Sequence, residues 1–261
     1  MMEKQIEVPK KILNFLTGIY YEYNEDKDSR KKKIFDRAFN MAYKDMATHT
    51  VAYHKDRVEY KDYIEGDSKR AASNRENVKV AIKNYIKSSF IKEENYSLTE
   101  LFSINSKFDF DEWHKKLCKK IVDIDCDVEG LEAKDKMKST VKISKLLGHI
   151  DENITCKVFT YGQAQKLVNM MIKYIYIYYK CEGWNDLDYL VPYFHVPIDS
   201  YVLMAFLGKD KYKEKSWSKF VDYEKNYMSC QREIEKFVKD KKVYPNAFLW
   251  ELTEWPFGIN L

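Results

Sequence analysis

Apolar residues recur every third or fourth position along most of this chain, the spacing of one buried face on an α-helix. Ile34, Phe35, Ala38, Phe39, Ala42 and Met46 share a face of a stretch from about Ser29 to Thr48. Val78, Ile82, Tyr85, Ile86 and Phe90 mark another helix. Ile12, Leu13, Leu16, Ile19 and Tyr20 follow Pro9, which suits a first helical turn. Asp109 is the expected cap of a helix from Phe110 to Val122. Ala133 to Leu147 reads as helix, ended by Gly148. Later helices are expected over Ser200 to Leu207, in a long amphipathic run from about Ser216 to Lys239, and over Pro245 to Glu254. The last stops before Pro256 and Gly258. Residues 59–74 are polar and show no clear period.

The stretch from Thr160 to Cys181 is the most distinctive. Tyr174-Ile175-Tyr176-Ile177-Tyr178-Tyr179 alternates as a strand does. The longer pattern favours helix, because Leu167, Met170, Met171, Tyr174 and Tyr178 advance in steps of three and four. Gly183 is the expected terminator. With no repeat and no convincing sheet, the fold class reads as all-α, one unit over residues 1–261.

Composition narrows the class. Five Pro and eight Gly form no linker, and abundant aromatic residues argue against disorder. The net charge of +4 permits a nucleic-acid partner, with basic runs at Arg30 to Lys33, Lys69–Arg70 and Lys209 to Lys219. Five Cys without a CxxC fit a reducing cytoplasm better than a disulfide framework, and their spacing suits no zinc or iron–sulfur site. Neither His49 with His54 nor His149 with Asp151 is placed to share a metal. No signal peptide or membrane span is expected: the longest apolar run, Leu167 to Tyr179, is broken by Asn169 and Lys173. No phosphate-binding glycine loop or serine nucleophile elbow occurs.

Two residues carry candidate chemistry. Lys166 falls in the first turns of the Thr160–Cys181 helix, where the helix dipole disfavours an ammonium and burial adds to that effect. A neutral amine there can attack the anomeric carbon of a nucleoside. Asp199 follows Val196-Pro197-Ile198 at a capping position, where backbone N–H groups keep a carboxylate ionised. Such a carboxylate stabilises a cationic sugar. The helix carries the chain roughly 20 Å from Lys166 to Tyr179, and the residues up to Asp199 are ample to return. His195 lies beside the Asp199 turn, as a packing or pocket residue.

Gly162-Gln163-Ala164-Gln165-Lys166, an apolar helix, and then Val196-Pro197-Ile198-Asp199 together resemble the helix-hairpin-helix DNA glycosylases, most closely the archaeal-type 8-oxoguanine DNA glycosylase/AP lyases. The resemblance spans Thr160 to Gly258 and is poor before it. It implies two helical lobes, about 29–183 and about 1–28 plus 184–261, with a cleft between them. It implies a bifunctional glycosylase that excises an oxidised purine from double-stranded DNA through a lysine Schiff base, with no cofactor, acting as a monomer. Lys166 takes the nucleophile's place and Asp199 that of its partner, with Pro197 in the turn. Lys173 matches the family's second lysine. Trp250, in Pro245-Asn246-Ala247-Phe248-Leu249-Trp250, matches the tryptophan that stacks on the extruded base, and Trp113 is the candidate opposing wall. Asn246 stands where that family has a carboxylate reading the guanine edge, which puts the identity of the base in question. Phe159-Thr160-Tyr161-Gly162 replaces the family's glycine-rich hairpin, and with it the usual phosphate contact. The rival readings are a non-catalytic helical DNA-binding module and a protein-interaction module, for instance in phage defence.

Overall fold

A computed structural model describes residues 27–47, 69–90, 101, 103–123 and 159–254. All regular structure among these residues is helical. Seven α-helices are described: α1 (Lys27–Ala47), α2 (Lys69–Phe90), α3 (Lys107–Val122), α4 (Tyr161–Cys181), α5 (Ser200–Leu207), α6 (Ser229–Lys241) and α7 (Ala247–Glu254). The helices expected after Pro9 and over 133–147, with Pro256 and Gly258, lie outside the described residues. No described helix is long and apolar enough to cross a membrane.

α4 is the axis of the fold. Every residue from Gly162 to Tyr179 is buried, so this helix has no solvent face. That explains the strand-like run at its end: Tyr and Ile alternate because all sides of the helix meet protein. Tyr176 packs edge-on against Phe194 and Phe248. Tyr174 and Tyr178 turn the other way, donating to Asp45 and to Met41 Sδ on α1. Each such side chain contributes about 1.5–3 kcal/mol on burial. α1 and α3 pack along α4, and α2 packs on α1 and α3.

The helix ends follow local chemistry. Thr160 caps α4 by accepting from Gln163 N, while the Gln163 side chain accepts from Thr160 N, a reciprocal capping box. Gly183 closes the helix with φ +75°, a conformation that glycine reaches at little cost. α2 begins at Lys69, so part of the polar stretch without a clear period is helical. α3 departs from expectation at its start. Ser106, not Asp109, is the cap: its Oγ accepts from Asp109 N, and its hydroxyl donates to the Asp109 carboxylate.

The long helix expected over 216–239 is broken into three pieces. Trp217–Lys219 forms a single 3₁₀ turn, Phe220 to Asp222 is extended, and Tyr223–Met228 is a π-helical turn leading into α6. Two side chains impose the break. Asn226 Oδ1 accepts from the N–H groups of Val221 and Asp222, and Asp222 Oδ1 accepts from Lys225 N. These bonds start a new helix at residue 223, so the apolar period that runs through the segment is local only.

Candidate active site

The Lys166 Nζ and Asp199 Oδ2 atoms lie 3.4 Å apart, and their side chains are 4% and 13% exposed. Lys166 projects from the second turn of α4. Asp199 caps α5, its Oδ1 accepting from Tyr201 N and Val202 N at 2.9 and 3.0 Å. One carboxylate oxygen is thus fixed by the helix start, and the other faces the amine.

The pair is brought together by a polar staple. Residues 196–198 run beside α4 without regular structure, and two glutamines pair with them as a neighbouring backbone would. Gln165 Oε1 accepts from Ile198 N, and its Nε2 donates to Ile198 O. Gln231, on α6, does the same for Val196, accepting from its N–H and donating to its carbonyl. Pro197 lies buried between them and has no N–H to satisfy. Asn169, one turn after Gln165, donates to Val196 O and to Tyr227 Oη. The register of Asp199 against Lys166 is therefore set by carboxamides on α4 and α6.

Behind the staple lies a buried aromatic and imidazole cluster. His114 hydrogen-bonds Asn169 Oδ1 through Nε2 and Tyr223 Oη through Nδ1. His195 hydrogen-bonds Asp111 Oδ1 through Nε2 and Tyr227 Oη through Nδ1. Burial pushes both imidazole pKa values well below the usual value, that of His114 further because the neighbouring His195 ring disfavours a second positive charge, and that of His195 further through Lys107. Both rings are fully enclosed, so they hold the scaffold rather than meet a ligand.

Trp217 covers the amine. Its ring centroid lies 5.0 Å from Lys166 Nζ, and its indole N–H donates to Ser200 Oγ at 3.2 Å. It reaches this place because the chain at 217–220 presses on the first turn of α4. Gly162 N donates to Phe220 O, Thr160 Oγ1 donates to Ser218 O, and Gly162 leaves no room for a side chain. A Cβ on Gly162 would sit 1.7 Å from Trp217 O.

Further along the same face of α4, Lys173 Nζ donates to Glu251 Oε1 at 2.7 Å, and both side chains are buried. Burial raises the Glu251 carboxyl pKa against the opposing pull of Lys173. Trp250 is buried beside it and packs edge-on against Phe237. Asn246 Oδ1 is occupied as the cap of α7, accepting from Leu249 N. Trp113 packs with Phe90 and Phe110 and donates to Ser89 O. The aromatic ring over Lys166 is that of Trp217, a residue that sequence reasoning did not single out. Gln165, Asn169, Gln231 and Glu251 were also missed. The described residues contain no cluster of His, Cys, Asp and Glu fit to hold a metal ion.

No protein-family model, curated protein or solved structure matches the chain.

Proposed function

We propose that this protein is a DNA glycosylase with AP lyase activity, acting on an oxidised purine in double-stranded DNA. The observation that carries the reading is the buried amine–carboxylate pair, Lys166 at the start of α4 and Asp199 at the cap of α5, 3.4 Å apart. The motif resemblance supplies the reaction. The amine attacks C1′ of the nucleotide, and the C1′–N bond breaks with its electron pair leaving on the base. Asp199 stabilises the positive charge that develops on the sugar and is placed to accept the proton released by the amine. Ring opening gives the lysine Schiff base. Loss of a C2′ proton then expels the 3′ phosphate and nicks the strand.

The surroundings support a DNA ligand. Lys209, Lys211, Lys213 and Lys219 are exposed on the segment that carries Trp217, where they can meet phosphates. Trp217, 6% exposed, lies over the amine, so a sugar reaches Lys166 when the indole moves off Ser200.

Borohydride reduction in the presence of duplex DNA tests the chemistry. The wild-type protein is expected to form a covalent adduct, and Lys166→Gln to form none while staying folded, since Asp199 keeps its two backbone donors. Full base excision by Lys166→Gln rules the mechanism out. The enclosure of the pair favours a second reading, a structural ion pair in a non-catalytic helical DNA-binding module. That reading predicts salt-sensitive duplex binding with no adduct from any lesion.

A further inference from the structure

Glu251 is the one residue among those described with a buried side-chain polar atom that has no hydrogen-bond partner. The carboxyl is 2% exposed, and Lys173 occupies its Oε1 at 2.7 Å, while Oε2 meets no donor. A buried acceptor left empty costs about 1–3 kcal/mol, more when charged, so such atoms are rare and call for a cause. Folding alone gives none here. Apolar side chains of similar volume in place of Lys173 and Glu251 would fill the same space without that cost.

Its placement supplies the cause. Lys166 and Lys173 lie seven residues apart on α4, so they share a face. Each holds a carboxylate from another element, Asp199 from the cap of α5 and Glu251 from α7. The Glu251 carboxyl is near enough to feel the charges of both Asp199 and Lys166. The two ion pairs lie along one face of α4, and three of their four carboxylate oxygens are occupied within the protein.

We propose that Glu251 is a substrate-binding residue whose Oε2 accepts a hydrogen bond from the N–H edge of the base that enters beside Lys166. Lys173 holds the carboxylate in place through Oε1, and the ligand brings the missing donor. A guanine-type edge, with its ring N1–H and 2-amino group, offers such donors, whereas an edge bearing only acceptors is repelled. The assignment rests on the glycosylase reading given above.

The test uses the full chain in the Lys166→Gln background, which binds without turnover. Affinity for a duplex with one 8-oxoguanine is divided by affinity for the same duplex with one 8-oxoadenine, whose ring N1 carries no hydrogen and which has no 2-amino group. The Lys166→Gln protein is expected to prefer 8-oxoguanine over 8-oxoadenine, and adding Glu251→Gln to lower that preference about tenfold or more, as the loss of one charge-assisted bond implies. Glu251→Gln leaves Lys173 buried without its counter-ion, so the joint Lys173→Met/Glu251→Met replacement is measured alongside it and is expected to lose the preference equally. Two results overturn the proposal: no preference for 8-oxoguanine over 8-oxoadenine in the Lys166→Gln protein, or a preference that survives the joint replacement. Borohydride trapping of the wild-type protein on duplex with an abasic site, which carries no base to read, separates the two ideas. An adduct there with no effect at Glu251 removes this inference alone, whereas no adduct with a clear effect at Glu251 removes the lyase reading and leaves the base contact.

Discussion

Replacing Gly162 with alanine tests the packing that seats Trp217 over Lys166. The backbone of Gly162 is helical, so alanine meets no conformational penalty and the whole effect is spatial. The gap between the new Cβ and Trp217 O must open from 1.7 Å to at least 3.0 Å, and the obstacle is backbone rather than a flexible side-chain tip. Overpacking of this kind costs about 1–3 kcal/mol. The same displacement breaks the Gly162 N–Phe220 O and Thr160 Oγ1–Ser218 O bonds, about 1 kcal/mol each. Together they imply a loss of about 3–5 kcal/mol, or roughly 10 °C in melting temperature for a chain of this length. Gly183 serves as the comparison: nothing lies within 4 Å of its Cβ position, so alanine there carries only the strain of a positive φ, about 1–2 kcal/mol. Thermal melts followed by circular dichroism decide the matter. A Gly162→Ala protein melting within about 2 °C of wild type refutes the argument that this contact holds the 217–220 turn in place.

Three other outcomes are expected. Asp199→Asn keeps a good helix cap but leaves the buried Lys166 without its counter-ion, so it should lose up to about 3–5 kcal/mol of stability while borohydride trapping by the folded protein slows about 100-fold or more; equal trapping rates remove Asp199 from the chemistry. Gln165→Leu strands both backbone groups of Ile198, each costing about 1–3 kcal/mol, and should lower the urea midpoint clearly; an unchanged midpoint means another group takes over the staple. His114 and His195 are held neutral when folded, whereas the unfolded chain takes up protons below about pH 6.5. Their contribution is intact above that pH and falls as the pH drops from it towards the depressed folded pKa values, by up to about 1.4 kcal/mol per pH unit for each ring. The raised Glu251 pKa acts in the opposite sense, because the folded state then binds the extra proton, and it offsets at most one ring. Urea denaturation at pH 7 and pH 5.5 should therefore show a clear loss at the lower value, and equal stability at both contradicts the neutral assignment.

Much of the helical framework was legible because it rests on local rules. The period of Ile34 to Met46 places α1 within two residues at its start, and the chain around Asp199 and Leu207 announces α5. Thr160 and Gln163 also spell a capping box three residues apart, a signal open to sequence reading but not used. Of the site, Lys166, Lys173, Pro197 and Asp199 were legible in the sequence. Gln165, Asn169 and Gln231 act on backbone groups far along the chain, and a carboxamide on a helix gives no local sign of such a partner. Trp217 was hidden inside a stretch whose apolar spacing reads as continuous helix, because the bonds that Asn226 and Asp222 make to the backbone override that spacing. Glu251 follows Trp250 and looks like a solvated helix position until α4 is packed against it and Lys173 meets its carboxylate.

The stretch at 196–198 has no regular structure, yet its backbone is bonded by side chains much as a strand's is by a neighbouring strand. Its polar backbone valences at Val196 and Ile198 are filled by side-chain amides, and Pro197 contributes no donor. An extended segment with open valences invites a second chain to add alongside. This stretch has its donors and acceptors at Val196 and Ile198 already taken by side chains, so the segment that leads to Asp199 is closed to an added strand at those two positions.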